Sequence, residues 1–264
     1  MADKYQITKR MDHSGNAVMA YCWGDIMHSA VYLDPQLKHQ LVFPYNRAFL
    51  QAFDLFPQAE NVLIIGGGMY TLPSYLIRFY PHLNVDVLEP DETTVPAARK
   101  YFGLGELYAD IPDAAERLHI ISAFGREYLS SCRKQYDIIL NDAFSGGEPA
   151  YDLMSREAAE LIHGALKKDG IYAANMVGSD DILECDLMLD EMRTLRSVFA
   201  FAACDEAKDE GAGSFCNYIV FVSDHDYFQD PCADELLKGT EVIEDRDLPH
   251  LTEFYGILSV VSQI

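Results

Sequence analysis

Near its start the chain alternates apolar and polar positions at strand spacing. Asn16 to Trp23 and Ile26 to Leu33 are rich in apolar and aromatic residues and predict two strands. Ser14-Gly15-Asn16 is a turn signal before the first, and Gly24-Asp25 suits a tight hairpin between them. Asp34-Pro35 closes the second. From Leu37 to Phe56 apolar residues fall at helical spacing and predict a helix interrupted at Pro44.

After Asn61 the pattern becomes regular. Val62-Leu63-Ile64-Ile65 is a short continuous apolar run, as expected of a parallel strand buried on both faces. Gly66-Gly67-Gly68 follows, then a helix from Leu72 to Tyr80. Further strands are predicted at Val85–Leu88, Leu118–Ile121, Tyr136–Leu140 and Ile171–Met176, with helices at Thr93–Phe102, Gly125–Arg133, Arg156–Leu166 and Leu183–Val198. Asp169-Gly170 stops the helix before the fifth strand. Phe199–Cys204 and Asn217–Val222 are predicted to pair as a terminal antiparallel hairpin. The fold class expected is α/β, a doubly wound, mostly parallel sheet with that hairpin and a small N-terminal β-hairpin region. Residues 1–40 form the small β region and 41–264 the main domain. Asp205–Gly213, acidic and glycine-bearing, is the expected mobile loop. The acidic tail after Asp224 carries no chemical signature.

In such a sheet ligands bind beyond the carboxyl ends of the strands. Gly66–Met69, Glu89–Asp91, Ser122–Phe124 and Asn141–Ser145 therefore share one rim. Glycines there let the backbone turn tightly and approach a ligand, although a plain structural turn would also use them. Glu89, about 20 residues beyond, is placed to accept hydrogen bonds from ribose hydroxyls; a solvated strand-end carboxylate is the alternative. Asp142 is placed to orient or deprotonate a nucleophilic amine, with a turn acid near Gly146-Gly147 as the alternative. Ser145 has no nearby His-Asp pattern, which argues against a hydrolase nucleophile.

Charge and cysteine usage narrow the function classes. The formal net charge of −22 repels phosphate backbones, so nucleic acid is not an expected partner, whereas a cationic substrate such as a polyamine is compatible. The six cysteines form no C-x-x-C pair, and the histidines are dispersed, so neither a disulfide framework nor a metal site is expected. No apolar run is long enough for a membrane span. The start, Met1-Ala2-Asp3-Lys4-Tyr5, has no apolar signal core, and the expected location is the cytoplasm.

The residues from about Ile26 to Met176 resemble the spermidine synthase family of aminopropyltransferases, within the Rossmann-like methyltransferase superfamily. His28–Leu33 with Phe43-Pro44-Tyr45 looks like its interdomain segment. Val62–Gly68 looks like its glycine motif, Val87–Asp91 like its ribose-binding strand end, Tyr136–Asp142 like its catalytic strand, and Leu166–Ile171 like the turn after it. The resemblance implies S-adenosylmethionine or its decarboxylated form as donor, a small-molecule acceptor, no metal and a homodimer. It implies Asp142 as the catalytic residue. Cofactor-binding residues would be His28, Gly66, Gly67, Gly68, Met69, Glu89, Pro90, Asp91, Ser122 and Ala123, and substrate-binding residues Tyr45, Arg47 and Ser145. The chain departs from the family pattern at several of these. Met69 stands where the motif continues with Asp, His28 where it has Gln, and Asn46-Arg47 where it has His-Glu. Ser145 replaces a second acid, and Ser122 or Ala123 the acid that meets the adenine amine. An arginine at 47 suits a donor that keeps its carboxylate. Aminopropyl or methyl transfer is thus the expected chemistry. A catalytically silent nucleoside- or protein-binding member is one alternative and a nicotinamide-dependent oxidoreductase another.

Overall fold

The computed structural model describes residues 5–145, 148–179, 186–208, 215–228 and 237–251. Strands β1 (Gln6–Met11), β2 (Ala17–Trp23) and β3 (Ile26–Tyr32) form an antiparallel sheet in the order β1-β2-β3. The expected hairpin is therefore its inner pair. The added strand β1, with its mixed polar pattern, carried no alternation strong enough to announce it. The expected long helix is two short ones, α1 (Pro44–Ala48) and α2 (Gln51–Leu55). Pro44 starts a helix here instead of interrupting one: it follows an extended Phe43 and occupies the first turn, where its missing N–H is harmless.

Then come β4 (Asn61–Ile65), α3 (Thr71–Phe79), β5 (Asn84–Leu88), α4 (Thr94–Tyr101), α5 (Leu104–Asp110), α6 (Ala114–Arg117), β6 (Leu118–Ile121), α7 (Gly125–Ser131) and β7 (Tyr136–Asn141). A two-residue pair, β8 (Phe144–Ser145) and β9 (Glu148–Pro149), precedes α8 (Arg156–Ala165), β10 (Leu166–Ser179), α9 (Asp186–Arg196), β11 (Phe201–Ala207) and β12 (Phe215–Ser223). Helices α5 and α6 fill a stretch in which the apolar pattern predicts no element. The expected residues 183–185 of the ninth helix, Gly146-Gly147 and residues 209–213 of the expected loop lie outside the described residues. Asp205–Ala207, expected in that loop, belong to β11.

The main sheet has seven strands in the order β11-β12-β10-β7-β4-β5-β6. Pairs from β10 through β6 are parallel, while β12 runs antiparallel to both β10 and β11. It is the doubly wound, mostly parallel α/β sheet that the pattern predicts. Alternate residues of the central strands feed opposite layers. Val62, Ile64, Ile138 and Leu140 pack into one core with α3 residues Leu72 and Leu76, and Leu63, Ile65 and Ile139 pack into another with α8 and α9 residues such as Ile162 and Met192. Chain order reverses between β4 and β7, so their carboxyl ends open the crevice where such sheets bind ligands.

Two buried polar groups hold the frame. Arg117 donates to the carbonyls of Ile77, Tyr80 and Leu83, closing the open end of α3 and its turn. Asp137 Oδ2 accepts from the backbone N–H groups of Glu60 and Asn61 and from Lys167 Nζ, pinning the start of β4 to β7 and β10.

Candidate functional site

The turn after β4 is built so that only glycine fits its first position. Gly66 has φ +94°, and a Cβ there would lie 2.3 Å from the backbone oxygen of Asp142. The Gly66 N–H donates to Leu88 O (3.0 Å) and the Asp142 N–H to Ile65 O (2.8 Å), so the ends of β4, β5 and β7 are laced together. At Gly68, φ +49°, a Cβ would meet Ser29 Oγ at 2.9 Å, which brings β3 of the small sheet onto the turn. Ser29 Oγ accepts from the Met69 N–H at 3.3 Å. The Met69 side chain itself is buried in the core beneath α3. A methionine after the glycines is thus a packing residue whose backbone alone faces the turn.

Glu89 directly follows β5 and faces the same turn. Its Oε2 accepts from the N–H groups of Gly67 (3.2 Å) and Gly68 (3.0 Å), and its Oε1 from the Asp91 N–H (3.0 Å). Burial pushes its carboxyl above the usual range against the pull of these donors. Pro90 and Asp91 are exposed beside it, and Asp91 Oδ1 accepts from the Thr93 N–H (2.9 Å) in the turn that precedes α4. Tyr21 of β2 reaches this corner: burial raises its hydroxyl pKa most, and the nearby Tyr5, Asp91 and Glu89 add to the rise. Tyr5 stacks on Tyr21 with ring centroids 4.5 Å apart.

Asp142 follows β7. Its Oδ1 accepts from Asn175 Nδ2 on β10 at 2.7 Å, and Asn175 Oδ1 accepts from Asn217 Nδ2 on β12 at 2.8 Å. Burial pushes the Asp142 carboxyl up to about 7, with the Asn175 bond opposing. Tyr45 lies close enough for the Asp142 charge to add to the rise that burial imposes on its hydroxyl. The Tyr45 hydroxyl donates to His28 O at 3.4 Å. Burial draws the His28 imidazole below its ordinary pKa, and its Nε2 is enclosed with no hydrogen-bond partner among the described residues.

The structure thus brings Gly66, Gly67, Gly68, Glu89 and Asp142 together, with His28 and Tyr45 over them. Arg47 differs from the expectation. It is exposed, and its Nη1 donates to the carbonyls of Leu41 (2.9 Å) and Val42 (2.7 Å). The loop before α1 leaves these oxygens needing donors, and the guanidinium supplies them. Ser122 is exposed and Ala123 half-buried after β6, followed by Phe124, 62% exposed at the same rim. The Ser145 side chain lies outside the described residues. Tyr21, Ser29, Asn175 and Asn217 were not foreseen from the sequence. The one usable signal was the position of Asn175, at the carboxyl end of the fifth expected strand.

A sequence model described as the Spermine/spermidine synthase domain matches residues 47–206. The chain is 32% identical over 179 residues to a polyamine aminopropyltransferase of Vibrio vulnificus, covering 67% of this chain and 55% of that protein. The chain spans about half the length of the curated relatives it matches. Its fold is similar to a probable spermidine synthase from Corynebacterium glutamicum, with TM-score 0.73 and 20% identity over 92% of this chain and 94% of that one. It is also similar to human methyltransferase-like protein 13 in complex with SAH, with TM-score 0.57 and 18% identity over 76% and 96% of the two chains. With the family domain covering most of the α/β sheet and the glycine turn, Glu89 and Asp142 at the strand ends it spans, this chain belongs to the spermine/spermidine synthase family.

Proposed function

We propose that the protein transfers an alkyl group, an aminopropyl group in particular, from an S-adenosylmethionine-type sulfonium to a small amine. The carrying observation is Asp142: a carboxylate at the crevice between β4 and β7, against the glycine turn, with its pKa pushed up to about 7 by burial. A base poised near neutrality is suited to taking a proton from an incoming amine.

The residues fit a nucleoside donor. The turn at Gly66 and Gly68 leaves no room for side chains and lets a ligand approach the backbone. Glu89 offers the carboxylate that a ribose diol would meet, in exchange for its present amide donors. A bound sulfonium supplies an electrophilic carbon, and its C–S bond breaks with the electron pair staying on sulfur as the C–N bond forms. Asp142 receives the proton that the acceptor ammonium gives up.

The engagement of Arg47 supports one donor over the other. Its guanidinium ties down Leu41 and Val42, while the charged side chains at the rim, Glu89, Asp91 and Asp142, are acidic. That favours a donor without a carboxylate, the decarboxylated form, and a cationic acceptor; the relative from Vibrio vulnificus bears an aminopropyltransferase name.

Calorimetry with S-adenosylmethionine, its decarboxylated form and methylthioadenosine tests this reading. Binding of the last two is expected, with mass spectrometry identifying an aminopropylated amine. No heat with any of the three at millimolar concentration would remove the donor site. Binding without product would support a second reading, a silent nucleoside-binding member.

A further inference from the structure

Asp142, Asn175 and Asn217 form a line of polar side chains across β7, β10 and β12. An amide presents a donor at one end and an acceptor at the other, so the orientation of Asn175 is fixed by what lies on each side. Asn217 offers a donor to its oxygen at 2.8 Å, which turns its NH2 toward Asp142. Reversed, Asn175 would aim its oxygen at the carboxylate and its NH2 at the donor. Asn175 is buried, so water is not at hand to correct a wrong orientation. The Asp142 Oδ1 is thereby occupied, and its Oδ2 has no hydrogen-bond partner among the described residues.

We propose that Asn217 is a positioning residue: through the Asn175 amide it orients the Asp142 carboxylate and reserves Oδ2 for the acceptor nitrogen. This deepens the alkyl-transfer reading and rests on it for the identity of the acceptor, but the orientation of the carboxylate does not. The groups that face Asp142 are Tyr45 from α1, Asn175 from β10 and the backbone of the glycine turn after β4. Tyr45 is a neutral phenol at ordinary pH because burial raises its pKa. None of these competes with Asp142 for a proton near neutrality.

The test is a carboxyl titration by NMR on the full chain labelled with [13Cγ]aspartate, with Asp142 assigned by the signal that Asp142→Asn removes. Asn217→Asp keeps the side-chain shape and replaces a donor by an acceptor, so the Asn175 amide turns round and the charged form of Asp142 loses its donor. The expected result is an upward shift of the Asp142 midpoint by about half a unit or more. Asn217→Ser, whose hydroxyl stops one bond short of the amide nitrogen that now donates to Asn175 Oδ1 and adds no charge, is expected to shift it in the same direction by less. Asn175→Leu gives the shift for complete loss of the bond, and adding Asn217→Ser to it changes nothing further, because both act along one path. A midpoint that moves in Asn175→Leu but stays within about 0.2 units of the parent in both Asn217 variants overturns the proposal. So does a midpoint that moves in none. The titration needs no ligand, so failure to bind any nucleoside would sink the alkyl-transfer reading and leave this result readable. Where transfer is measured, the acid limb of the kcat profile is expected to move with the NMR midpoint in Asn217→Ser, with KM for the donor unchanged.

Discussion

Glu89 Oε2 lies 3.0 Å from the amide nitrogen of Gly68, so the carboxylate that would hold a ribose also holds the turn that would admit it. A ligand entering the crevice must trade places with two glycine N–H groups. Glu89→Gln keeps one oxygen for this purpose and turns an NH2 toward the others. The prediction is a loss of methylthioadenosine affinity of about ten- to a hundredfold, equivalent to about 1.5–3 kcal/mol for a charge-assisted bond. Calorimetry reads it directly. Unchanged affinity would place the ribose elsewhere.

Asp142 makes the protein less stable as it ionises. Its folded pKa, about 7, is above the ordinary value of 3.8, so the penalty is absent below pH ~4 and grows as pH rises toward 7. Asp142→Asn is expected to stabilise the fold at pH 8 by about 2 kcal/mol or more, with no gain at pH 4. Urea titrations at the two pH values test this. The same variant is expected to abolish transfer, and the parent rate to rise with pH through about 7. A variant less stable than the parent at pH 8 would contradict the assignment.

Arg117 closes α3 with bonds that no smaller side chain can make. It meets Asp113 through Nε at 2.9 Å and Nη2 at 3.2 Å while its nitrogens also reach three carbonyls. Arg117→Ala orphans those carbonyls and is predicted to cost about 3–4 kcal/mol. Arg117→Lys recovers only part, because an ammonium cannot span the fork. Chemical denaturation separates the three proteins. A loss under about 1 kcal/mol for the alanine variant would mean that water satisfies the helix end equally well.

Arg47 is expected to matter for the loop and not for the choice of donor. Arg47→Ala removes the donors to Leu41 and Val42 and should lower stability by about 1–2 kcal/mol. The ratio of affinities for S-adenosylmethionine and its decarboxylated form should change by less than about twofold, since a lost carboxylate grip would cost far more. A selective tenfold loss for S-adenosylmethionine would restore the carboxylate role.

The sheet was legible because the central strands carry runs that are apolar on both faces, as Val62–Ile65 and Ile138–Leu140 are, and because a glycine or an acid follows β4 and β5 directly at the rim. Gly66 and Glu89 could be picked out for the same reason. The rest depends on contacts far apart in sequence. Nothing local to Asn175 or Asn217 indicates that they bond to each other, since they lie 42 positions apart and are joined only by the β10–β12 pairing. Arg47 shows the reverse. Its charge suggested a ligand, but the backbone it serves lies five and six residues earlier, in a loop whose carbonyls no hydropathy pattern reveals. Strand β1 was missed because a sheet edge with polar residues on an open face has no strong alternation.

The place of β12 between β10 and β11 has a biosynthetic consequence. A chain emerging from the ribosome has made β11 before the strand that must slip inside it, so neither can dock in its final register until Phe215–Ser223 has been synthesised. Until then β10 is an open edge whose residues Ile171–Ala174 are almost wholly apolar, a surface prone to pair with other chains. The strand that covers this edge also carries Asn217. Protection from aggregation and completion of the polar line behind Asp142 therefore arrive in the same step.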